Sequence, residues 1–184
     1  MKGRDVVWIA LMAAVVCALS PWAIPVGLVP LSLSTLGVYV AVGLLGTRRG
    51  VTAVGVYLLL GALGVPVFSG FSGGLIHLVG PTGGYLLGYL LCALVAGALM
   101  ARFPRRGLVP LWLTMGTLVL YAVGTLWYGW QTACPLWSAL AVCVLPFLVA
   151  DAVKIAAATI VIWSLRGRLR SLLYPRDVKK EESE

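Results

Sequence analysis

The residues most able to do chemistry in this sequence are an aspartate and a lysine inside an otherwise apolar stretch. Asp151 and Lys154 stand three positions apart in PFLVADAVKIAAATIVIW, a spacing that puts both side chains on one face of a helix. A charged side chain at mid-bilayer costs at least about 2.5 to 3.5 kcal/mol on insertion scales. The pair is therefore predicted to face a cavity or the interior of a helix bundle, as a ligand site would. The alternative is that the two charges only neutralise each other and pin the helix.

The rest of the sequence shows no second set of residues arranged for catalysis. An intramembrane aspartyl protease needs two membrane aspartates, and Asp151 is the only one in the apolar segments. His77 is the only histidine, so a histidine-based metal site is not expected, and this loop residue is interpreted as a polar surface or lid group. The cysteines form no C-x-x-C pair and are interpreted as structural thiols, at Cys17, Cys92, Cys134 and Cys143. We expect neither an enzyme nor a metal site.

A glycine-rich stretch, GGLIHLVGPTGGYLLGYLL, joins a loop to the next apolar segment. Irregular backbone at membrane depth is tolerated only where it lines a cavity or is buried in protein, and glycines let backbone amides approach a ligand closely. For this reason Gly74 is a candidate ligand contact, and Thr82 is either a helix N-cap or a ligand contact. Farther along, Gly84 and Gly88 form a G-x-x-x-G face that can simply pack against another helix.

The composition identifies the elements that must position these residues. Hydrophobic residues make up 61% of the 184 positions, well above the roughly 45 to 50% of soluble domains, and a membrane-spanning helix takes about 20 apolar residues. Apolar runs and their glycine and proline breakers predict six segments, at about residues 6–24, 34–46, 50–64, 84–101, 109–128 and 138–164. The expected fold class is an all-α, polytopic membrane protein with six transmembrane helices.

The charge pattern predicts how these helices are oriented. The chain carries 14 Lys and Arg against 6 Asp and Glu, a net charge of +8. Apart from Lys154, the basic residues lie at the N-terminus, after residue 165 or in two loops, 47–50 and 102–108. Basic residues hold loops in the cytoplasm, so both termini should be cytoplasmic. The outer loops, which contain no Lys or Arg, should be 25–33, 65–83 and 129–137. This is the pattern of membrane topology and not of a nucleic-acid-binding patch.

The chain is expected to form one six-helix transmembrane domain, residues 1–165, followed by a cytoplasmic tail of basic and mixed charge, residues 166–184. The N-terminus has the basic start and apolar middle of a signal peptide, but its apolar run is long and no small-x-small cleavage site closes it. We therefore expect a retained first helix. A stripe of small residues on that helix, Ala10, Ala14 and Ala18, allows close packing, either within this chain or against a partner subunit.

Several motifs together resemble the BioY family, the biotin-specific substrate-binding (S) components of energy-coupling factor (ECF) transporters. They are VPLSLSTLGVYVAVGLLGTRRG, YLLLGALGVPVF, GGLIHLVGPTGGYLLGY and the ADAVK of the last segment, in that order. The resemblance implies a six-helix S-component bundle in the bacterial cell membrane, with a vitamin site open to the outside. It also implies that a transmembrane T subunit and two ATPases dock on the alanine stripe and that the S component topples to deliver substrate. ATP chemistry would then belong to the partners, and no cofactor is expected; the chain has no GxxxxGK[ST] phosphate loop.

Biotin, the ligand that the resemblance implies, fits these residues chemically. Asp151 can accept hydrogen bonds from the ureido N–H groups, and Lys154 can donate to the ureido carbonyl or offset the carboxylate; spacing leaves the choice of end open. Apolar walls are expected from Tyr85, Phe68 and Phe71. Neutral hydrogen bonds are expected where the first outer loop enters the second helix, from Ser32, Ser34 and Thr35. Many family members carry glutamine where Ser34 stands here.

Two other classes of membrane protein fit the same pattern less closely. One is a self-sufficient, proton-coupled secondary carrier in which Asp151 is the titrating group. The other is a non-transporting membrane assembly protein. Retention of biotin at low concentration separates the first hypothesis from both. Uptake that collapses with the proton gradient and ignores ATP would favour the carrier.

Overall fold

The computed structural model describes residues 3–24 and 30–173, which fold mainly into helices. In chain order the helices are α1 (Gly3–Leu19), α2 (Ser34–Leu45), α3 (Thr47–Ala62), α4 (Leu75–Val79), α5 (Gly83–Arg102), α6 (Val109–Thr132), α7 (Leu136–Cys143) and α8 (Phe147–Leu173). A short antiparallel ribbon pairs β1 (Ala23–Ile24) with β2 (Leu31–Ser32), and a 3-10 turn, Arg106–Leu108, precedes α6. The middle of the first outer loop, 25–29, and the end of the predicted tail, 174–184, lie outside the described residues.

Within the part of the chain that the structure describes, three helical stretches are long and apolar enough to cross a membrane. They are Gly83–Arg102, Arg106–Thr132 and Phe147–Gly167, and a shorter apolar helix is Ser34–Leu45. The protein is therefore a multi-pass membrane protein, while the count of six spans and the cytoplasmic termini stay predictions. The proposed border between domain and tail, 165/166, falls inside a helix, since α8 continues to Leu173.

Two predicted segments differ from the structure at prolines. The first segment was expected to reach residue 24, but α1 ends at Leu19 because Pro21 disfavours the helical conformation in the residue before it. The last segment, 138–164, is two helices, α7 and α8, separated by a turn at residues 144–146. Pro146 has no N–H to donate and its ring clashes with the preceding turn. The break starts a new helix, α8, at Phe147, four residues before Asp151.

The helix pair α5 and α6 is the most closely packed part of the bundle. A Cβ at Gly84 would lie 2.2 Å from the Cβ of Trp127, and one at Gly88 would lie 2.7 Å from Cδ1 of Leu120. Only glycine allows the two helices to approach this closely. The G-x-x-x-G face of the sequence is thus a packing face, and it fixes α6 beside the residues that line the site.

Arginine residues from several helices gather at one end of the bundle. Arg49, in the first turn of α3, forms an ion pair with Asp5 of α1 at 2.8 Å. Trp163 of α8 donates its indole N–H to the Arg106 carbonyl at 3.1 Å. Arg102 ends α5 at the same end. The aspartate–lysine pair and the glycine-rich loop are at the other end, so charge and candidate site are separated along the helices.

Candidate ligand-binding site

A buried ion pair forms the centre of the candidate site. The Lys154 ammonium donates to Oδ1 of Asp151 at 2.9 Å, and the two residues are 6% and 4% exposed. Two other helices complete the cluster. Tyr121 of α6 donates its hydroxyl to Oδ2 of Asp151 at 2.6 Å, and Thr35 of α2 donates to Oδ1 at 3.2 Å. Lys154 also donates to Oγ1 of Thr35 at 3.1 Å. Three helices therefore meet at one carboxylate.

The cluster is neutral overall and keeps hydrogen-bonding capacity. Asp151 accepts three of these bonds, and a carboxylate has about four lone-pair sites. Lys154 has three N–H donors and uses two of them on described protein groups. A buried ion pair is tolerated when further hydrogen bonds satisfy its atoms. One acceptor position on Asp151 and one donor on Lys154 therefore remain for a ligand.

The local sequence explains where the pair lies. Asp151 and Lys154 follow the start of α8 at Phe147 by one and two helical turns, so both belong to the N-terminal half of that helix. Thr35 is the second residue of α2, directly after the first outer loop. Tyr121 lies halfway along α6. The polar groups are thus drawn from helix starts and from a helix interior that α5 holds in place.

A cavity of about 260 Å³ opens above this cluster, close to the lower end of the roughly 300 to 1,000 Å³ of small-molecule sites. Its wall is mostly aromatic and aliphatic, from Phe68, Tyr85, Leu86, Tyr89, Leu120 and Phe147. The remaining lining residues come from two of the loops predicted to be outer. Pro30 and Ser32 lie in the first loop, and Ser69, Ser72, His77 and Thr82 lie in the second, residues 65–83. The combination of a polar floor, an apolar wall and a polar loop suits a ligand that is polar at both ends.

Most of the site residues expected from sequence lie around this cavity. Those that line it are Asp151, Lys154, Tyr85, Ser32, Thr35, Phe68 and Thr82. Thr82 occupies the N-cap position of α5 without a side-chain cap bond, and its hydroxyl donates to the His77 carbonyl at 3.4 Å. Phe68 packs edge-on against Tyr57, with ring centroids 5.7 Å apart. Whether each of these residues touches a ligand stays a prediction.

Three expected site residues lie outside the cavity lining. Ser34 is fully buried and shares a hydrogen bond of 2.7 Å with Ser32, so it supports a lining residue. Phe71 is 60% exposed and packs against Trp22, with centroids 5.7 Å apart. Gly74 has a φ of 105°, a conformation that favours glycine, and donates its N–H to the Gly61 carbonyl at 2.7 Å. Its role in this structure is to turn the loop.

Sequence reasoning missed several lining residues. Tyr89 lies four positions after Tyr85 and shares its helix face, so helical periodicity could have found it. His77, interpreted as a surface or lid group, is half-buried beside Phe68, with centroids 6.1 Å apart. Tyr121 had no local signal, because only the packing of α6 against α8 brings it to Asp151. The other missed residues are Pro30, Ser69, Ser72, Leu86, Leu120 and Phe147.

The two loops that border the cavity, both predicted to be outer loops, also contact each other. Gly70 in the second loop donates its N–H to the carbonyl of Pro21 at 2.9 Å. The side chains of Trp22 and Phe71 pack edge-on beside this bond. A backbone pairing between Phe68 and Ser72 folds the second loop over the cavity. Both loops therefore belong to one cover.

Fold and site together define a multi-pass helical membrane protein with a small-molecule pocket at one end of its bundle. The model of the BioY family matches residues 1–171, and the chain belongs to the BioY family. Family membership confirms both the resemblance found in the sequence and the expectation of a protein that is not an enzyme.

Curated relatives and a solved structure agree with this assignment. A probable biotin transporter BioY of Pyrococcus horikoshii is 39% identical over 171 residues, which cover 91% of this chain and 99% of the relative. The biotin transporter BioY2 of Lactococcus lactis subsp. cremoris is 36% identical over 154 residues, 83% of this chain and 84% of the relative. The crystal structure of an S-component for biotin from an ECF-type ABC transporter matches with a TM-score of 0.84 at 27% identity, over 91% of this chain and 95% of that one. The S-component fold predicted from sequence is thus confirmed.

Proposed function

We propose that this chain captures biotin from the outer side of the membrane as the substrate-binding component of an ECF-type vitamin transporter. The observation that carries the proposal is the neutral Asp151–Lys154 pair at the floor of the cavity, which offers an acceptor beside a donor. The names of the relatives, biotin transporters and an S-component for biotin, support the same ligand.

The ureido ring of biotin is the better match for this floor. It carries two N–H donors and a carbonyl acceptor, which complement the free acceptor position of Asp151 and the free donor of Lys154. Such bonds to charged groups are roughly twice as strong as neutral ones. A ring that makes both bonds replaces water without adding charge to the buried cluster.

Charge balance argues against the opposite orientation. The carboxylate of biotin at the floor would add a negative charge to a pair that is already neutral, in a site where unpaired charge is costly. The loop side of the cavity offers hydroxyl groups and an imidazole instead, from Ser69, Ser72 and His77. We therefore propose that the valerate chain runs along the aromatic wall, with its carboxylate beneath the loops.

Equilibrium binding of a set of biotin analogues tests ligand and orientation together. Biotin and desthiobiotin, which share the ureido ring and the acid, should bind tightly to purified protein, whereas thiamine and riboflavin should not. Diaminobiotin, which lacks the ureido carbonyl, should lose far more affinity than biotinamide, which lacks only the acidic charge. The reverse order would overturn the orientation, and equal binding of all vitamins would overturn the ligand.

The exposed alanine stripe supports a partner-driven transport cycle. Ala10, Ala14 and Ala18 are exposed, whereas the neighbouring Ala13 is buried, so the stripe is available to another helix. We propose that a T subunit with two ATPases docks there and that toppling of the S component delivers biotin. Biotin uptake should then require ATP and the partner subunits. Uptake that survives ATP depletion but collapses with the proton gradient would contradict this mechanism and favour a proton-coupled carrier.

A further inference from the structure

The short helix α4 covers the pocket but has little to hold it in place by itself. It spans only five residues, Leu75–Val79, and an isolated helix of that length is not stable in water. Three of its four apolar side chains, Leu75, Ile76 and Val79, are more than 60% exposed, and only Leu78 packs against the core. Its last carbonyls lie at a helix end, where intrahelical partners are missing. Apart from the Leu78 contact and the bond from the Gly74 N–H to the Gly61 carbonyl, its position depends on bonds from other helices.

Two side chains of α6 supply those bonds. Trp127 donates its indole N–H to the carbonyl of Gly80 at 3.0 Å. Gln131, one helical turn later, donates its amide to the carbonyl of Val79. The two donors stand on one face of α6 and meet consecutive carbonyls at the end of α4. We call Trp127 and Gln131 the latch.

The latch is anchored on the closely packed contact between α5 and α6. Trp127 packs against Gly84 so closely that a Cβ on that glycine would lie 2.2 Å from the Trp127 Cβ. The indole is therefore held by the contact between α5 and α6, and the carbonyl of Gly80 is held by the indole. Movement of α4 away from the pocket has to break both latch bonds, whereas α5 and α6 can stay in place.

Residues 75–82, which the latch holds in place, contribute two side chains to the lining of the cavity. His77 lies in α4 and Thr82 follows it, and both line the cavity. Thr82 also donates to the His77 carbonyl, which ties the two lining residues to each other. We propose that Trp127 and Gln131 are positioning residues that hold residues 75–82 closed over the ligand and so set the rates at which it enters and leaves. This inference rests on the proposed function, since biotin is the ligand used to test it.

The test compares biotin exchange in Trp127→Phe and Trp130→Phe. Phenylalanine keeps an aromatic ring at either position. Trp130 is a matched control because it stands on the same helix, its indole is 75% exposed, and it packs edge-on against Trp127. Radiolabelled biotin would be bound to each full-length protein in lipid nanodiscs and chased with unlabelled biotin. Loss of one hydrogen bond should raise the release rate of Trp127→Phe about 3- to 10-fold, with a parallel rise in the association rate. Trp130→Phe should exchange like the parent protein.

A second variant keeps the test decisive if Trp127→Phe fails to fold. Gln131 is exposed, so Gln131→Leu should fold normally and raise both rates by a similar factor, and the double variant should exchange faster than either single one. A purely structural role would lower the fraction of binding-competent protein without changing its rates. Parental rates in Trp127→Phe and Gln131→Leu would overturn the latch and leave biotin binding untouched. Failure of the parent protein to bind biotin would overturn the proposed function, and the latch with it.

Discussion

At the scale of single residues, the candidate site depends on one carboxylate that serves three helices. Asp151 accepts hydrogen bonds from Thr35, Tyr121 and Lys154. An ion pair alone is weak support for function, because apolar residues of similar volume often stabilise a core as well. The Asp151–Lys154 pair lines a cavity and keeps unused donor and acceptor positions. It can therefore bind a ligand as well as hold α8 in place.

Asp151→Asn should weaken both biotin binding and stability. The amide keeps the shape of the side chain but removes its charge, so Lys154 becomes a buried cation without its partner. We expect biotin affinity to fall at least about 100-fold. The free energy of unfolding should fall by about 3 kcal/mol or more, which is the usual cost of breaking a buried ion pair. Isothermal titration and thermal unfolding in the same detergent measure both quantities.

The double variant Asp151→Asn with Lys154→Met is the control. It removes both charges, so thermal stability should return close to that of the parent while biotin binding stays lost. Normal binding by the double variant would mean that the pair only pins the helix and that the site is elsewhere.

Tyr121→Phe tests the residue that sequence reasoning missed. The phenol holds Oδ2 of Asp151 at 2.6 Å, and a hydrogen bond to a charged group contributes about 1.5 to 3 kcal/mol. We expect biotin affinity to fall about tenfold or more, because the carboxylate loses its fixed orientation. Tyr39→Phe is a matched control, since the Tyr39 hydroxyl bonds Thr117 at 2.6 Å outside the cavity lining. If both variants bind equally well, Tyr121 does not orient the site.

At the scale of elements, the contact between α5 and α6 organises the pocket. Their glycine face brings Tyr85 and Tyr89 of α5 beside Tyr121 of α6. It also places Trp127 where it reaches the loop that covers the pocket. Helices in lipid associate by close packing and not by the hydrophobic effect, so a small change in this contact should affect the whole site.

Gly84→Ala should disrupt that contact. The added Cβ would meet the Trp127 Cβ at 2.2 Å, and overpacking typically costs about 1 to 3 kcal/mol. We expect a lower melting temperature and weaker biotin binding, because α6 must shift away from the pocket. Gly55→Ala in α3 is the control, since its nearest neighbour is a Leu90 methyl at 4.0 Å. It should leave stability unchanged or raise it slightly, as alanine favours a helix by about 1 kcal/mol. Equal melting temperatures for the two variants would show that α5 and α6 can adjust freely.

At the scale of the whole molecule, the bundle has two chemically different ends. One end holds arginines from α3, α5, the 3-10 turn and α8, and the other holds the pocket and its two contacting loops. The positive-inside rule predicts that the arginine end is cytoplasmic, which would open the pocket to the outside. Between the two ends, the exposed alanines of α1 lie beside the exposed side chains of Val7 and Leu11.

Ala14→Trp should separate capture from transport. The position is exposed, so a bulky side chain should leave biotin binding by the isolated protein within about twofold of the parent. Docking of a partner helix needs small residues, so ATP-dependent uptake in cells that also express the partner subunits should be abolished. Leu91→Trp on the exposed face of α5 is the control and should spare uptake. Equal uptake by both variants would contradict the docking role of the stripe. Loss of biotin binding in Ala14→Trp would mean that the stripe packs within this chain and not against a partner.

Much of this protein could be predicted from the sequence because the signals are local. Long apolar runs indicate membrane helices whatever the rest of the chain does, and basic residues between them indicate topology. Asp151 and Lys154 were recognisable because charge inside an apolar segment is costly enough to need a purpose. The motifs around the glycine-rich stretch resembled one family, and the comparisons confirmed it.

Only the tertiary structure decided which other residues join the pair. Thr35 stands 116 positions before Asp151 along the chain, and no local pattern connects them. Which way a side chain points depends on the rotation of its helix, and packing against neighbouring helices sets that rotation. For this reason Ser34 supports the lining while its neighbour Thr35 belongs to it, and Tyr121 meets a carboxylate on another helix. The latch on α4 has the same origin, because carbonyls at the end of a five-residue helix need donors that only a neighbouring helix can bring.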